Sequence, residues 1–226
     1  MQKIAVVTGS AGNIGKAVVN ELINAGFKVY GTILHHEKVD EQEHLVTTAV
    51  DVSNREEAST FFKHVFEQEG RIDLMVFTVG GFGMGKLDEA DIKDFDHLIK
   101  LNFNTALFCT QAALNVIKNQ QHQSQLVYFG AKPALDLAAS HATFPYAIAK
   151  SMVINMAEAL NYNPDYPNVR ASVIAPGIVD TPQNRSAMAD ADCSKWVTPE
   201  EIARIVRFLA SDEALRETVI KAYKDS

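Results

Sequence analysis

Two kinds of hydrophobic pattern alternate along the chain. Short continuous apolar runs are typical of strands that are buried on both faces of a parallel sheet. They predict strands over residues 4–7, 28–33, 46–50, 72–79, 126–129, 169–175 and 217–223. Between the strands, apolar residues recur at helical spacing. This spacing predicts a helix that ends at Gly26 and helices over residues 54–69 and 98–118. It also predicts a helix that carries Tyr146 and Lys150 and continues through residues 151–160, and a last helix that begins at Pro199 after a Thr198 N-cap.

Strands that alternate with helices along the whole chain favour one architecture. We expect an α/β fold, a Rossmann-type doubly wound parallel sheet, in a single domain over residues 1–226. The acidic run 88–96 predicts the solvated start of a helix. Residues 180–198 have no clear period and are interpreted as a lid over a site.

Composition narrows the class of protein. The 226 residues carry a net charge of −7, which argues against partners such as nucleic acid or an anionic membrane. No apolar run is long enough to span a membrane, and the start of the chain reads as a strand rather than a leader. Only two cysteines are present, which predicts reduced thiols in a cytoplasmic protein. The seven histidines lack the spacing of metal ligands, so we expect no structural metal.

A glycine-rich turn, residues 8–15 (TGSAGNIG), joins the first strand to the first helix. Glycines let the backbone approach a pyrophosphate, and the helix N-terminus supplies amide donors. We therefore expect a bound dinucleotide against Gly9, Asn13, Ile14 and Gly15.

The end of the second strand normally selects between NAD and NADP, because an acid there holds the ribose hydroxyl of NAD. Here Ile33, Leu34, His35 and His36 precede the first acid, Glu37. This order favours NADP; a loop without selectivity is the alternative. A second glycine-rich loop, residues 80–85, is either close to a bound adenosine or a flexible connector.

Tyr146 and Lys150 lie four residues apart, so a helix places them on one face, roughly 6 Å apart along its axis. An ammonium near a phenol favours the phenolate and lowers the phenol pKa. The pair is therefore a candidate proton donor for reducing a polar double bond.

Several motifs together resemble those of the short-chain dehydrogenase/reductase family over essentially the whole chain. They are TGSAGNIG, Asp51-Val52, Asn102, Tyr146-x-x-x-Lys150 and Pro176-Gly177-x-x-x-Thr181. The resemblance implies a nicotinamide cofactor, Tyr146 as proton donor, Lys150 lowering its pKa and holding the nicotinamide ribose, and Asn102 holding a proton-relay water. It implies cofactor contacts at Gly9, Asn13, Ile14, Gly15, Ile33, Leu34, Asp51, Val52, Val79, Gly80, Gly81, Tyr146, Lys150, Pro176, Gly177, Ile178 and Thr181.

The chain also departs from that family. Asn13 replaces a usual glycine, residues 77–80 replace Asn-Asn-Ala-Gly, and no hydroxyl stands at Gly130-Ala131, where the family has its substrate-polarising serine. Residues 130–136, 180–196 and 79–81 look like the quinonoid dihydropteridine reductase branch, in which alanine also replaces the serine. Ile33 in place of an aspartate and the retained Asn102 differ from that branch.

Three functions follow as hypotheses. The first is NAD(P)H-dependent reduction of a quinonoid dihydropterin-like or other electron-poor cyclic substrate, with Arg185 or Asn184 contacting it. The second is a carbonyl or alcohol oxidoreductase in which Ser140, Thr143 or a water replaces the serine. The third is a non-catalytic NAD(P)-binding sensor. The apolar helices 98–118 and 151–160 suit a homodimer or homotetramer interface, although core burial explains them equally well.

Overall fold

A parallel seven-stranded sheet forms the centre of the computed structural model, which describes residues 2–136, 138, 140–211 and 218–224. The strand order is β3-β2-β1-β4-β5-β6-β7, and every pairing is parallel. The strands are β1 (Ile4–Thr8), β2 (Lys28–Ile33), β3 (Leu45–Ala49), β4 (Leu74–Phe77), β5 (Ser124–Phe129), β6 (Val169–Pro176) and β7 (Val219–Ala222). The predicted Rossmann-type α/β fold is confirmed. Glu217, where the last strand was expected to begin, lies outside the described residues.

Helices cover both faces of the sheet. They are α1 (Asn13–Asn24), α2 (Arg55–Glu69), α3 (Ile92–Ile99), α4 (Thr105–Ile117), α5 (Lys132–Leu135), α6 (Phe144–Asn161), α7 (Pro182–Ala187) and α8 (Pro199–Leu209). The predicted capping of α8 is present: the Thr198 hydroxyl accepts from the Glu201 N–H, and the Glu201 carboxylate accepts from the Thr198 N–H.

The helix predicted over 98–118 is wrong in two respects. It begins earlier, at Ile92, because the Asp91 carboxylate caps it by accepting from the Lys93 N–H at 2.7 Å. This start lies in the acidic run 88–96, so the prediction that this run begins a helix is confirmed. It is also interrupted by a π-helical turn, Lys100–Asn104, that joins α3 to α4. A π turn inserts one extra residue into the helix and often marks a functional position. This turn carries Asn102.

The segment 180–198 is more ordered than its sequence pattern indicates. It contains α7 and a 3₁₀ turn, Cys193–Lys195. Thr181 begins α7 by accepting a hydrogen bond from the Asn184 N–H, and Pro182 occupies the first turn, where its missing N–H needs no partner. Short capped turns of this kind have no amphipathic period, so periodicity does not reveal them.

Two apolar cores lie on opposite faces of the sheet, which explains the continuous apolar runs of the strands. Val6, Met75 and Tyr128 point into one core, whereas Val7 and Val76 point into the other. The chain leaves β1 in one direction to β2 and β3 and in the other to β4 and β5. Ligands of open α/β sheets bind at such a switch point, beyond the carboxyl ends of the strands.

Within the described part of the chain, none of the helices has the length and apolar character to cross a membrane. The same part holds no cluster of three or more histidine, cysteine, aspartate or glutamate side chains arranged for a metal ion.

Candidate active site

The turn between β1 and α1 brings two stretches of backbone together without side chains between them. Gly9 has a φ of +66°, which favours glycine. A Cβ on Gly15 would lie 2.2 Å from the Gly9 carbonyl oxygen, so only glycine fits there. Gly12 precedes α1 and offers no capping side chain. The first N–H groups of α1 are therefore available to an anion.

This turn forms one wall of a cleft of about 600 Å³ at the carboxyl edge of the sheet. Eleven of the sequence-predicted cofactor residues line it: Gly9, Asn13, Ile14, Gly15, Ile33, Leu34, Asp51, Val52, Val79, Gly80 and Thr181. Eight further lining residues were not predicted: Gly12, Thr32, Glu37, Val50, Ser53, Thr78, Leu101 and Thr105. Gly12, Thr32, Val50, Ser53 and Thr78 are each next to a predicted residue in the sequence, so extending the predicted stretches by one residue would have found them. Leu101 and Thr105 come from the π turn and the start of α4.

Glu37 differs from the other seven, because it reaches the cleft from the loop after β2. Its carboxylate accepts a hydrogen bond from the Leu34 N–H at 2.7 Å. The contact places a negative charge at the end of β2, where the sequence alone indicates none. The charged residues that line the cleft, within the described chain, are Glu37 and Asp51.

The second glycine-rich loop is tied to its surroundings rather than being a free connector. Asn102 is buried, its side-chain oxygen accepts from the Gly81 N–H at 3.1 Å, and its amide nitrogen donates to the Gly81 and Leu98 carbonyls at 3.0 Å each. The π turn aims Asn102 at this loop. The observed role of Asn102 is therefore to position the loop; the predicted role of holding a relay water stays a prediction.

Lys150 lies in the second turn of α6 and is buried beside the ends of β4 and β5. Its ammonium nitrogen donates to the Phe129 carbonyl at 3.0 Å. A Cβ on Gly80 would lie 3.1 Å from that nitrogen and 2.7 Å from the Asn102 side-chain oxygen. The structure thus brings Lys150 and Asn102 together around a glycine. Burial lowers the pKa of Lys150 to about 8.

Tyr146 lies on the same face of α6, with its ring centre 6.0 Å from the Lys150 nitrogen. The expected lowering of the Tyr146 pKa is wrong for the protein alone. Burial raises that pKa to about 12, because the phenolate loses its hydration. The Lys150 ammonium is directed to the Phe129 carbonyl and does not bond to the phenol oxygen.

Pro176, Gly177 and Ile178 were predicted cofactor contacts, but they are not among the residues that line the cleft. The Gly177 N–H donates to the Ala222 carbonyl at 3.1 Å, and the Ile178 carbonyl accepts from the Val197 N–H at 3.0 Å. These bonds place the three residues in the strand-like passage from β6 to α7. Gly81 likewise lies beside Asn102 and not on the cleft wall.

Two residues of the segment 180–198 that were expected to touch substrate are instead bonded to residues at or just before the start of that segment. Arg185 forms a two-point ion pair with Asp180, with nitrogen–oxygen distances of 2.5 and 2.7 Å. The Asn184 side chain donates to the Val179 carbonyl at 2.8 Å. Both side chains hold α7 in position, and nothing in the geometry directs them to a substrate.

At Gly130-Ala131, where enzymes of the family that the chain resembles have a substrate-polarising serine, this chain has no hydroxyl, as the sequence indicates. Ala131 is buried beside the end of β5. A different hydroxyl is unused: Thr143 precedes α6 and is 8% exposed, and its oxygen has no hydrogen-bond partner among the described residues. A buried unpaired hydroxyl is costly, so it often marks a group that awaits a ligand. Ser140 has contacts of its own.

Comparisons with known proteins agree with this arrangement. Acetoacetyl-CoA reductase of Acinetobacter sp. (strain RA3849) is 25% identical over 229 residues, which cover 93% of this chain and 91% of that protein. The 3-oxoacyl-(acyl-carrier-protein) reductase FabG of Thermotoga maritima is 25% identical over 228 residues, covering 94% and 92%. A solved structure described as ElxO with NADP bound has a TM-score of 0.87 at 21% identity, over 98% of this chain and 97% of that one, and so shares the fold.

The family model described as short chain dehydrogenase matches residues 3–192, which include the glycine turn, Asn102, Tyr146 and Lys150. The chain therefore belongs to the short-chain dehydrogenase family and is an NAD(P)-dependent oxidoreductase.

Proposed function

We propose that this enzyme reduces an electron-poor cyclic compound of the quinonoid dihydropterin type, using NADH or NADPH. One observation carries the proposal: Ala131 is buried where the family has its carbonyl-polarising serine, whereas Tyr146 and Lys150 are in place. A quinonoid ring gains aromatic stabilisation on reduction. It therefore needs less help from a polarising hydroxyl than a ketone does.

The residues of the cleft fit a dinucleotide. A Cβ at Gly15 would fill the space against the Gly9 carbonyl, and the uncapped start of α1 presents N–H groups toward an anion. The cleft volume of about 600 Å³ is in the range of cofactor sites. We assign the pyrophosphate to the turn around Gly9, Asn13 and Gly15, and the nicotinamide ribose to Tyr146 and Lys150.

When bound, the nicotinamide supplies a hydride to the ring. The chain supplies the proton: the Tyr146 hydroxyl releases it to the ring nitrogen that becomes electron-rich. Because burial raises the Tyr146 pKa to about 12, the phenolate needs a cation to form. Lys150 supplies it, since a pKa of about 8 leaves the side chain largely charged at neutral pH. Asn102 holds Gly81, and with it the loop that borders both groups.

A carbonyl reductase is the second candidate, and Thr143 favours it. Its buried, unpaired hydroxyl lies one helical turn before Tyr146 and is a candidate replacement for the serine. Two relatives at 25% identity are described as reductases of acetoacetyl-CoA and of a 3-oxoacyl carrier protein, both of which are ketone reductions. Membership of an enzyme family argues against the sensor hypothesis.

We also propose that the chain forms a homodimer or homotetramer through α4 and α6. Partly buried apolar side chains on these helices include Phe108, Leu114 and Met156. The proposed location is the cytoplasm, which suits the free thiols of Cys109 and Cys193.

Substitution of Tyr146 by phenylalanine tests the proton donor. We expect wild type to oxidise NADH or NADPH with freshly generated quinonoid dihydropterin, and Tyr146→Phe to lose at least about a hundredfold in kcat, the usual contribution of a positioned acid. Cofactor affinity should stay within about threefold, since the ring remains. Equal turnover by the variant would contradict the role.

The same assay with a 3-oxoacyl thioester separates the two candidates. The pterin proposal predicts faster turnover of the ring substrate and no effect of Thr143→Val. If the thioester is the better substrate and Thr143→Val abolishes its reduction, the carbonyl function is correct instead.

Substitution of Glu37 by glutamine tests cofactor choice. The sequence favours NADP, and the NADP-bound structural neighbour is consistent with it. The Glu37 carboxylate repels a 2′-phosphate, and glutamine keeps the acceptor for the Leu34 N–H while removing the charge. We expect kcat/KM for NADPH relative to NADH to rise about tenfold, equivalent to about 1.4 kcal/mol. The exposed Glu41→Gln in the same loop is the control. An unchanged ratio in Glu37→Gln would place the ribose elsewhere.

Lys150→Met tests the cost of the buried ammonium. At pH 7 the lowered pKa corresponds to about 3 kcal/mol of destabilisation of the wild-type fold, which the substitution removes. The variant also loses the hydrogen bond to the Phe129 carbonyl, which costs it about 1 kcal/mol. We therefore expect the variant to be about 2 kcal/mol more stable in urea unfolding, yet inactive.

The advantage of Lys150→Met should also depend on pH. The native group loses its proton near pH 8 and the unfolded one near pH 10.4, so wild type gains stability between these values and the difference narrows. A less stable variant at pH 7, or a difference independent of pH from 7 to 10, would contradict this electrostatic explanation.

A further inference from the structure

The loop after β4 is held firmly at two points. The Gly81 N–H donates to the Asn102 side chain, and the Gly81 carbonyl accepts from the same amide. The Gly85 carbonyl accepts from the Phe144 N–H at 2.8 Å, at the start of α6. Residues 82–84 span the gap as a short arch, and within the described chain their backbone groups bond to no other element.

Phe82 lies on this arch with its ring against the proton donor. The centres of the Phe82 and Tyr146 rings are 5.2 Å apart, and the ring planes meet at 69°. Phe82 nevertheless remains 65% exposed, so one side of its ring covers Tyr146 while much of the rest faces solvent. Met84, on the same arch, is exposed to the same extent.

The arch packs closely against the leucine side chains beneath it. A Cβ on Gly83 would lie 2.7 Å from a methyl carbon of Leu98, and one on Gly81 would lie 2.4 Å from a methyl carbon of Leu101. The backbone is therefore already as close to the helix as glycine permits. Rotation of the Phe82 side chain would uncover Tyr146 without any movement of this backbone.

Exposure of the apolar Phe82 ring to water costs free energy, and contact with another flat apolar surface would remove that cost. Stacking of two rings contributes beyond the area that it buries. A ligand placed to receive the Tyr146 proton would meet the exposed part of Phe82. A planar ring would cover that surface, whereas an acyclic chain would cover little of it.

We propose that Phe82 is a specificity-determining residue: its ring shields Tyr146 from water and forms the apolar wall on which a planar substrate ring stacks. The stacking half rests on the proposed function. The shielding half concerns the protein alone. The two halves are therefore tested separately.

Shielding is tested by nitration with tetranitromethane, without substrate, and peptide mass spectrometry. Tyr162 is 88% exposed and serves as the internal reference. We expect Phe82→Ala to raise the nitration of Tyr146 relative to Tyr162 at least about threefold, because the phenol becomes more hydrated and ionises more readily. Met84→Ala should leave the ratio unchanged. Equal nitration in wild type and Phe82→Ala, or an equal rise in Met84→Ala, overturns the shielding role.

Stacking is tested by kinetics with quinonoid dihydropterin and with a 3-oxoacyl thioester. Phe82→Leu retains apolar bulk over Tyr146 but has no ring. We expect it to lower kcat/KM for the ring substrate by about threefold to tenfold, the range of aromatic stacking, and to leave the thioester value unchanged. Phe82→Ala also removes the shield from the proton donor and should lower kcat/KM for both substrates, with the larger loss for the ring substrate. Equal losses for both substrates in Phe82→Leu overturn the stacking role.

Failure of the proposed function is distinguishable from failure of this inference. If wild type reduces no planar ring substrate, the proposed function and the stacking half are both overturned. The nitration ratio still decides the shielding half.

Discussion

The buried ammonium of Lys150 is the constraint around which the site is built. It is taken out of water at the meeting point of β4, β5 and α6, with the Phe129 carbonyl as its hydrogen-bond partner. Loss of hydration at this position disfavours the charged form, which lowers the pKa of Lys150. A protein selected only for stability would place an apolar residue there. Retention of the lysine is physically reasonable if its charge is needed to form the Tyr146 phenolate during turnover.

Several other features become necessary once Lys150 occupies that place. Gly80 must lack a side chain, because a Cβ would approach both the ammonium and Asn102. The loop that contains Gly80 has no side chain of its own there to hold it in place. The Asn102 side chain, which the π turn places beside the loop, bonds to both the N–H and the carbonyl of Gly81. The same loop carries Phe82 over Tyr146. The closely packed glycines, the irregular helix and the exposed aromatic ring therefore belong to one arrangement.

Local patterns predicted the features that depend on local physics. The strand runs, the glycine turn around Gly15 and the Thr198 cap each follow from a few neighbouring residues, and the structure contains them. The features that the sequence missed depend on tertiary contacts. Glu37 reaches Leu34 through a loop, and the π turn has no distinct hydrophobic period. The pKa of Tyr146 is raised and not lowered as expected, because loss of hydration depends on how deeply the phenol is buried. Spacing along a helix shows only which residues are close to one another.

Cofactor binding to two glycine variants tests most directly whether the turn after β1 holds a dinucleotide. Calorimetric titration with NADH and NADPH would compare wild type with Gly15→Ala, whose Cβ meets the Gly9 carbonyl. The control is Gly26→Ala, beyond the C-terminal end of α1, where the Cβ meets open space and the φ of +86° strains the backbone away from the cleft. Circular dichroism would verify that each variant is folded. We expect wild type and Gly26→Ala to bind one cofactor with equal affinity and Gly15→Ala to bind at least about tenfold more weakly. Binding by Gly15→Ala as tight as that of wild type, or no binding by wild type, would contradict the assignment.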